Sequence, residues 1–162
     1  MVDTPLEPRL GSARSVNVQA LVYGVHWSPT PEHAEPADLD AICELRDANG
    51  TTLEVVSPRC LSSSNGSVVH TGDSRTGASP WDDERVFVFL DALPPNVRRL
   101  DFRVASHNGR RLCEVPGASC HVSDYRTEDE LLKVELTAIA PAAECLVAML
   151  ERQPAGWTLR AR

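Results

Sequence analysis

Apolar and polar residues alternate along much of this chain. From Ser15 the sequence reads SVNVQALVY, which puts Val16, Val18, Ala20 and Val22 on one face in the pattern of a half-buried strand. The two-residue period returns in RVFVFL (85–90) and RRLDFRVAS (98–106), while AICELRDA (41–48) and TTLEVV (51–56) flank an Asn-Gly pair. In RRLDFRVAS, Leu100, Phe102 and Val104 face inward and Asp101 and Arg103 outward. The pairs Asn49-Gly50, Asn65-Gly66 and Asn108-Gly109 predict tight turns of type I′, since both residues tolerate positive φ. Pro94-Pro95 makes a further corner, and Pro29, Pro31 and Pro36 exclude regular structure from SPTPEHAEPAD, a long loop that delivers the chain to Asp38. TEDELLKVEL carries a capping box in Thr127 and Glu130, yet Leu132, Val134, Leu136 and Ala138 alternate with polar residues, so it reads as a short turn and then a strand. The C-terminal run predicts a hairpin broken at Gln153 to Gly156, with Trp157 and Leu159 on one face and Arg160 on the other. About eight or nine short strands separated by turn signals predict an all-β fold, an antiparallel two-sheet β-sandwich. Residues 1–14, with Pro5, Pro8 and Gly11 and no period, read as a flexible N-terminal tail before a single domain over 15–162.

Composition narrows the partners. A formal net charge of -7 repels nucleic-acid phosphates, so nucleic-acid binding is not expected. No run approaches the ~18 apolar residues of a membrane span, and the first residues lack a basic segment followed by an apolar one, which predicts a soluble, cytoplasmic protein. Five cysteines without a C-x-x-C pair predict reduced thiols, of which Cys43, Cys120 and Cys145 sit among apolar residues as small hydrophobic groups.

The candidate chemistry lies in two acidic loops. Asp38 and Asp40 share a face where the proline loop enters a strand; Asp73, Asp82, Asp83 and Glu84 lie in a second loop before RVFVFL. If both loops emerge at one end of the sandwich, up to six carboxylates meet, and they repel unless a cation compensates them. Oxygen donors select Ca²⁺ or Mg²⁺, and Ca²⁺ accepts the irregular set of about six to eight oxygens that loops supply. The spacing is not that of an EF-hand, and a solvated acidic surface is the plainer alternative. His26, His70 and His107 are the candidates for an enzymatic role, but no signature supports it: His70 and His107 lie in no nucleophile motif and read as hydrogen-bonded loop residues, so no catalysis is expected.

The order DLDA, NGSVVHTGDSRTG, DDE, ASHNG and GWTLRA, from about Ser15 to Ala161, resembles the TerD family of tellurium-resistance and stress-response domains. The resemblance implies a β-sandwich that binds Ca²⁺ through Asp38, Asp40, Asp73, Asp82, Asp83 and Glu84, in one or two ions. It further implies protein partners in a bacterial stress-response complex, with peripheral membrane association as an option. Ser74 stands where the family has Asn, Ala78-Ser79-Pro80-Trp81 replaces a stretch with two glycines and a further acid, and Gly24-Val25-His26-Trp27 alters another element. Those departures imply a weakened or single site. Two other readings fit the sequence: a degenerate interaction module that binds little or no metal, and a calcium-dependent lipid binder using Arg75 and Trp81.

Overall fold

The computed structural model describes residues 13–29, 37–72, 82–139 and 141–162. Asp73 and the segment through Trp81, on which part of the acidic reading falls, lie outside the described residues. Among the described residues eleven strands divide between two antiparallel sheets: β1 (Ala13–Val16), β2 (Ala20–His26), β3 (Leu39–Arg46), β4 (Thr52–Val56), β5 (Val68–His70), β6 (Glu84–Phe89), β7 (Arg99–Ser106), β8 (Ser119–Asp124), β9 (Glu130–Glu135), β10 (Glu144–Gln153) and β11 (Gly156–Ala161). One sheet has the order β1-β11-β10-β7-β3-β4 and the other β5-β6-β2-β8-β9. They pack face to face as the two-sheet sandwich that the alternation predicts.

The inward sets are those of the two-residue period. Leu39, Ala41, Cys43 and Leu45 on β3, Leu100, Phe102 and Val104 on β7, and Val86 and Val88 on β6 are fully buried. Tyr23 ties the sheets together: its ring lies 5.0 Å from that of Phe102, and its hydroxyl donates to the Arg103 carbonyl at 2.8 Å. Burial pushes the Tyr23 hydroxyl well above the ordinary phenol value, so it remains a donor. The five cysteines are free thiols; burial likewise pushes Cys43 and Cys120 far up, as suits packed apolar groups.

Three local expectations change. SVNVQALVY is two strands, because the phase flips at the adjacent apolar pair Ala20-Leu21. Val16 belongs to β1 in the six-stranded sheet, whereas Leu21, Tyr23 and Val25 carry the buried face of β2 in the other, leaving Val22 half-exposed on the outside. β1 itself begins at Ala13, ahead of Ser15. The Asn-Gly turns are not type I′: Gly50, Gly66 and Gly109 have φ of +79°, +76° and +77°, while none of the three asparagines has positive φ. In each the glycine N–H donates three residues back, to Asp47, Ser63 and Ser106, so only the glycine needs the left-handed region. Finally, Leu136 ends the β9 alternation and opens one helical turn, Leu136–Ile139.

Candidate metal centre

β3 and β7 pair antiparallel with Leu39 opposite Ser106 and Asp40 opposite Ala105. Because Leu39 and Ala41 point into the core, Asp40 and its neighbour two back, Asp38, point the other way, to the outer side of the strand's first residues. Just past the β7 end, the His107 N–H donates to the Asp38 carbonyl at 2.8 Å. The Asn108-Gly109 turn holds that residue in place, through Gly109 N–H to Ser106 O at 3.2 Å and Ser106 Oγ–H to Asn108 Oδ1 at 2.9 Å. The result is a three-sided group in which one donor atom each from Asp38, Asp40 and His107 lies within 4.8 Å of the other two. Two bonds of about 2.4 Å to one ion span that distance, so the set fits a single divalent cation.

The second acidic loop meets this end of β3 from the opposite sheet. β4 pairs with β3 only from Arg46 to Cys43, leaving Ala41 without a strand on that side. Two buried side chains satisfy it instead. The Ala41 N–H donates to Glu84 Oε1 at 2.9 Å, and His70 Nε2 stands 3.1 Å from the Ala41 carbonyl and 3.2 Å from Glu84 Oε1. The Gly72 N–H donates to His70 Nδ1 at 2.8 Å, which places the His70 proton on Nε2, facing both oxygens. Burial, against the hydrogen bonds from His70 and Ala41 and with Asp40 adding repulsion, pushes the Glu84 carboxyl up to about 7.

The other two acids of that loop have separate contacts. Asp83 Oδ2 accepts from the Trp27 N–H at 2.9 Å and lies 3.1 Å from His26 Nδ1. Asp82 lies on the outer face of the five-stranded sheet, where Gly24 pairs with Arg85 on one side and His121 on the other. Its Oδ2 bridges His121 Nε2 at 2.7 Å and Arg85 Nε at 3.1 Å, and His121 Nδ1 continues to Ser123 Oγ at 2.7 Å. Burial alone would raise the Asp82 carboxyl, but His121 and Arg85 outweigh it and hold it below the ordinary value. Gly24 makes this arrangement possible: a Cβ there would stand 2.2 Å from His121 Nε2 and 2.5 Å from Asp82 Oδ2. Gly24→Ala is therefore expected to displace the Asp82 carboxylate and cost about 1–3 kcal/mol in urea unfolding. A cost indistinguishable from zero would mean that Asp82 does not lie over Gly24.

Of the six acids expected to converge, Asp38 and Asp40 are brought together, and Glu84 touches the residue after Asp40. Asp82 and Asp83 have the partners given above. Two histidines join these acids: His107, which local sequence presents as a loop residue beside a turn, and His121, whose position on its strand carries no signal of its own. The signal for His107 was its place at the end of a predicted strand, but which strand it would face is not written in local sequence.

The TerD domain family matches residues 10–162. The chain is 34% identical over 159 residues to tellurium resistance protein TerZ of Serratia marcescens, an alignment covering 93% of this chain and 82% of that protein. It is 32% identical over 124 residues to general stress protein 16U of Bacillus subtilis strain 168, covering 72% and 64% of the two chains. Among solved structures, a homologue of telluride resistance protein (TerD) from Streptomyces coelicolor A3(2) superposes with a TM-score of 0.79 at 26% identity, covering 90% of this chain and 88% of that one. The match over nearly the whole chain and the identity to TerZ show that the chain belongs to the TerD domain family.

Proposed function

We propose that this protein is a non-enzymatic calcium-binding domain of a bacterial stress-response and tellurite-resistance system, cytoplasmic and acting through protein partners. The names of its relatives support the system, and the donor group at Asp38, Asp40 and His107 carries the metal reading. Asp38 and Asp40 supply the first oxygens. Asp73, outside the described residues, and Asp83 and Glu84, at the head of β6, are the further candidates for the remaining oxygens of a calcium shell. Asp82 holds His121 and Arg85 instead, which leaves a smaller site than the full six acids would make. When bound, calcium supplies charge compensation that lets these carboxylates stay together; the protein's own part is to hold Asp38 and Asp40 on one strand face and to fix that strand end through Glu84 and His70.

Asp40→Asn is expected to lower calcium affinity by about tenfold or more in a calorimetric titration, because a ligand charge is removed. Asp47→Asn is the control. Asp47 Oδ1 accepts from the Asn49 and Thr51 N–H groups at 2.9 Å and serves the β3–β4 turn, so its replacement leaves affinity within about twofold. Equal losses in the two variants would mean that calcium responds to diffuse negative charge, and absence of calcium binding by the unaltered protein would favour an interaction module.

A further inference from the structure

We propose that the outer face of the five-stranded sheet carries a receptor site for an arginine side chain on a basic segment of a partner protein, in a cavity walled by Phe87 and Tyr125 and edged by Glu128. The inference rests on the partner part of the reading above and is independent of the metal. Three observations carry it.

The first is the make-up of the face. The solvent side of an antiparallel sheet is ordinarily polar, yet Phe87 pairs with Val22, and Val22 with Ser123, so an apolar strip crosses β6 and β2 on the outside. Tyr125, two residues past Ser123, stands edge-on to Phe87 at 5.7 Å and to Phe89 at 6.0 Å between ring centres. Tyr125 and Phe89 remain 48% and 38% exposed. In the next row Arg85 and His121 flank Gly24 and hold Asp82. Bounded by Phe87 and Tyr125 on one side and by that bridge on the other is a cavity of about 250 Å³. It is smaller than the ~300–1,000 Å³ of a drug-sized ligand pocket, and suits one side chain inserted from a larger surface.

The second is charge. Arg85 faces the cavity, but its Nε is matched by the Asp82 carboxylate at 3.1 Å, and His121 is engaged with the same carboxylate. The further acids on the lining are Asp124 and Glu128. Asp124 Oδ1 accepts from the Arg126 N–H at 2.9 Å. The exposed Glu128 side chain makes no hydrogen bond or ion pair among the described residues. The uncompensated charge of the cavity is negative, as is the chain's net charge of -7, and it complements a cation.

The third is the pairing of a ring with a free carboxylate. A guanidinium lays its plane on an aromatic ring while its fork of N–H groups meets a carboxylate, whereas the compact, strongly hydrated lysine ammonium gains less from such a wall. Glu128 is also the only non-glycine residue with positive φ among the described residues, at +64°, a conformation that glycine adopts at lower cost. The Glu128 N–H to Asp124 O and Asp124 N–H to Asp129 O bonds, each 2.9 Å, set it there in the β8–β9 turn. A carboxylate thus stands at the edge of the cavity where folding alone favours glycine.

The test uses the full-length protein and two short glycine peptides, one with a single central arginine and one with citrulline, its neutral isostere, titrated by NMR. The arginine peptide is expected to shift the Phe87, Tyr125 and Glu128 signals saturably and to bind at least about fivefold more tightly than the citrulline peptide. Tyr125→Ala and Glu128→Gly should each weaken it by about fivefold or more, Glu128→Gly without lowering the melting temperature. Asp91→Asn, at an exposed acid elsewhere, should change it by less than about twofold. Equal binding of the two peptides, equal losses in Glu128→Gly and Asp91→Asn, or shifts centred away from Phe87 and Tyr125 overturn the inference and leave the calcium reading untouched. Tighter binding of phosphatidylcholine vesicles than of the arginine peptide at these residues overturns it too, since the cavity then takes a lipid ammonium. Arginine-specific binding by a protein that binds no calcium sinks the metal reading and leaves this one standing.

Discussion

In metal-free buffer, Glu84 is expected to make the protein lose about 3 kcal/mol of folding stability as the pH rises from its ordinary carboxyl value of 4.5 to about 7. The sign follows from proton counting. The folded-state pKa is raised, so between those values the folded chain binds more protons than the unfolded chain and stability falls with rising pH. Below the window the buried carboxyl is protonated in both states and costs nothing; above it the full cost of a buried charge is present. The cause is burial first: the Glu84 side chain is wholly inaccessible, and the Ala41 and His70 hydrogen bonds offset only part of the cost. Glu84→Gln keeps an oxygen for those donors and removes the charge. The variant should match the unaltered protein near pH 4.5 and exceed it by about 3 kcal/mol at pH 8, in urea unfolding with EDTA present. A constant difference between the two across this range would show that Glu84 ionises normally.

Phe102→Ala is expected to cost about 3–5 kcal/mol, the range for truncating a buried aromatic ring. Phe102 is fully buried on β7, opposite Cys43 on β3 and Ala148 on β10, two small neighbours between which the ring fills the space. Its loss leaves a void against Tyr23, whose ring stands 5.0 Å away and whose hydroxyl is committed to Arg103, so the site collapses poorly. Phe89→Ala, at an outer-face residue 38% exposed, is the contrast and should cost less than about 1.5 kcal/mol. Comparable losses at the two positions in urea unfolding would contradict the assigned burial.

Local sequence determined a large share of this fold, because strand periodicity and turn chemistry act over a few residues. The inward sets of β6 and β7 were legible as alternation, and the β10–β11 hairpin as two runs about a proline-containing break. Turn type was only half legible: Asn-Gly marks where the chain reverses, but the backbone geometry belongs to the whole turn, and only the glycine went left-handed. The SVNVQALVY run misled because Val16 and Ala20 are both buried, each under a different sheet; alternation records burial and not which partner provides it.

For the candidate site the division is sharper. Asp38 and Asp40 were legible as a same-face pair because they are two residues apart where the chain enters one strand. That Asp82 would turn to His121 and Arg85 depended on their register across Gly24, and adjacent acids in a sequence do not have to face one another. That Glu84 would cap Ala41 depended on the β3–β4 pairing stopping at Cys43 and leaving a backbone amide to be satisfied from the other sheet. His107 joined Asp38 and Asp40 across more than sixty positions of chain through β3–β7 pairing. Cross-strand neighbours are fixed by which edges pair and in what register, a long-range choice made by packing the whole core, so the sequence by itself supplied the strands and the acids while only the tertiary structure decided which donors meet.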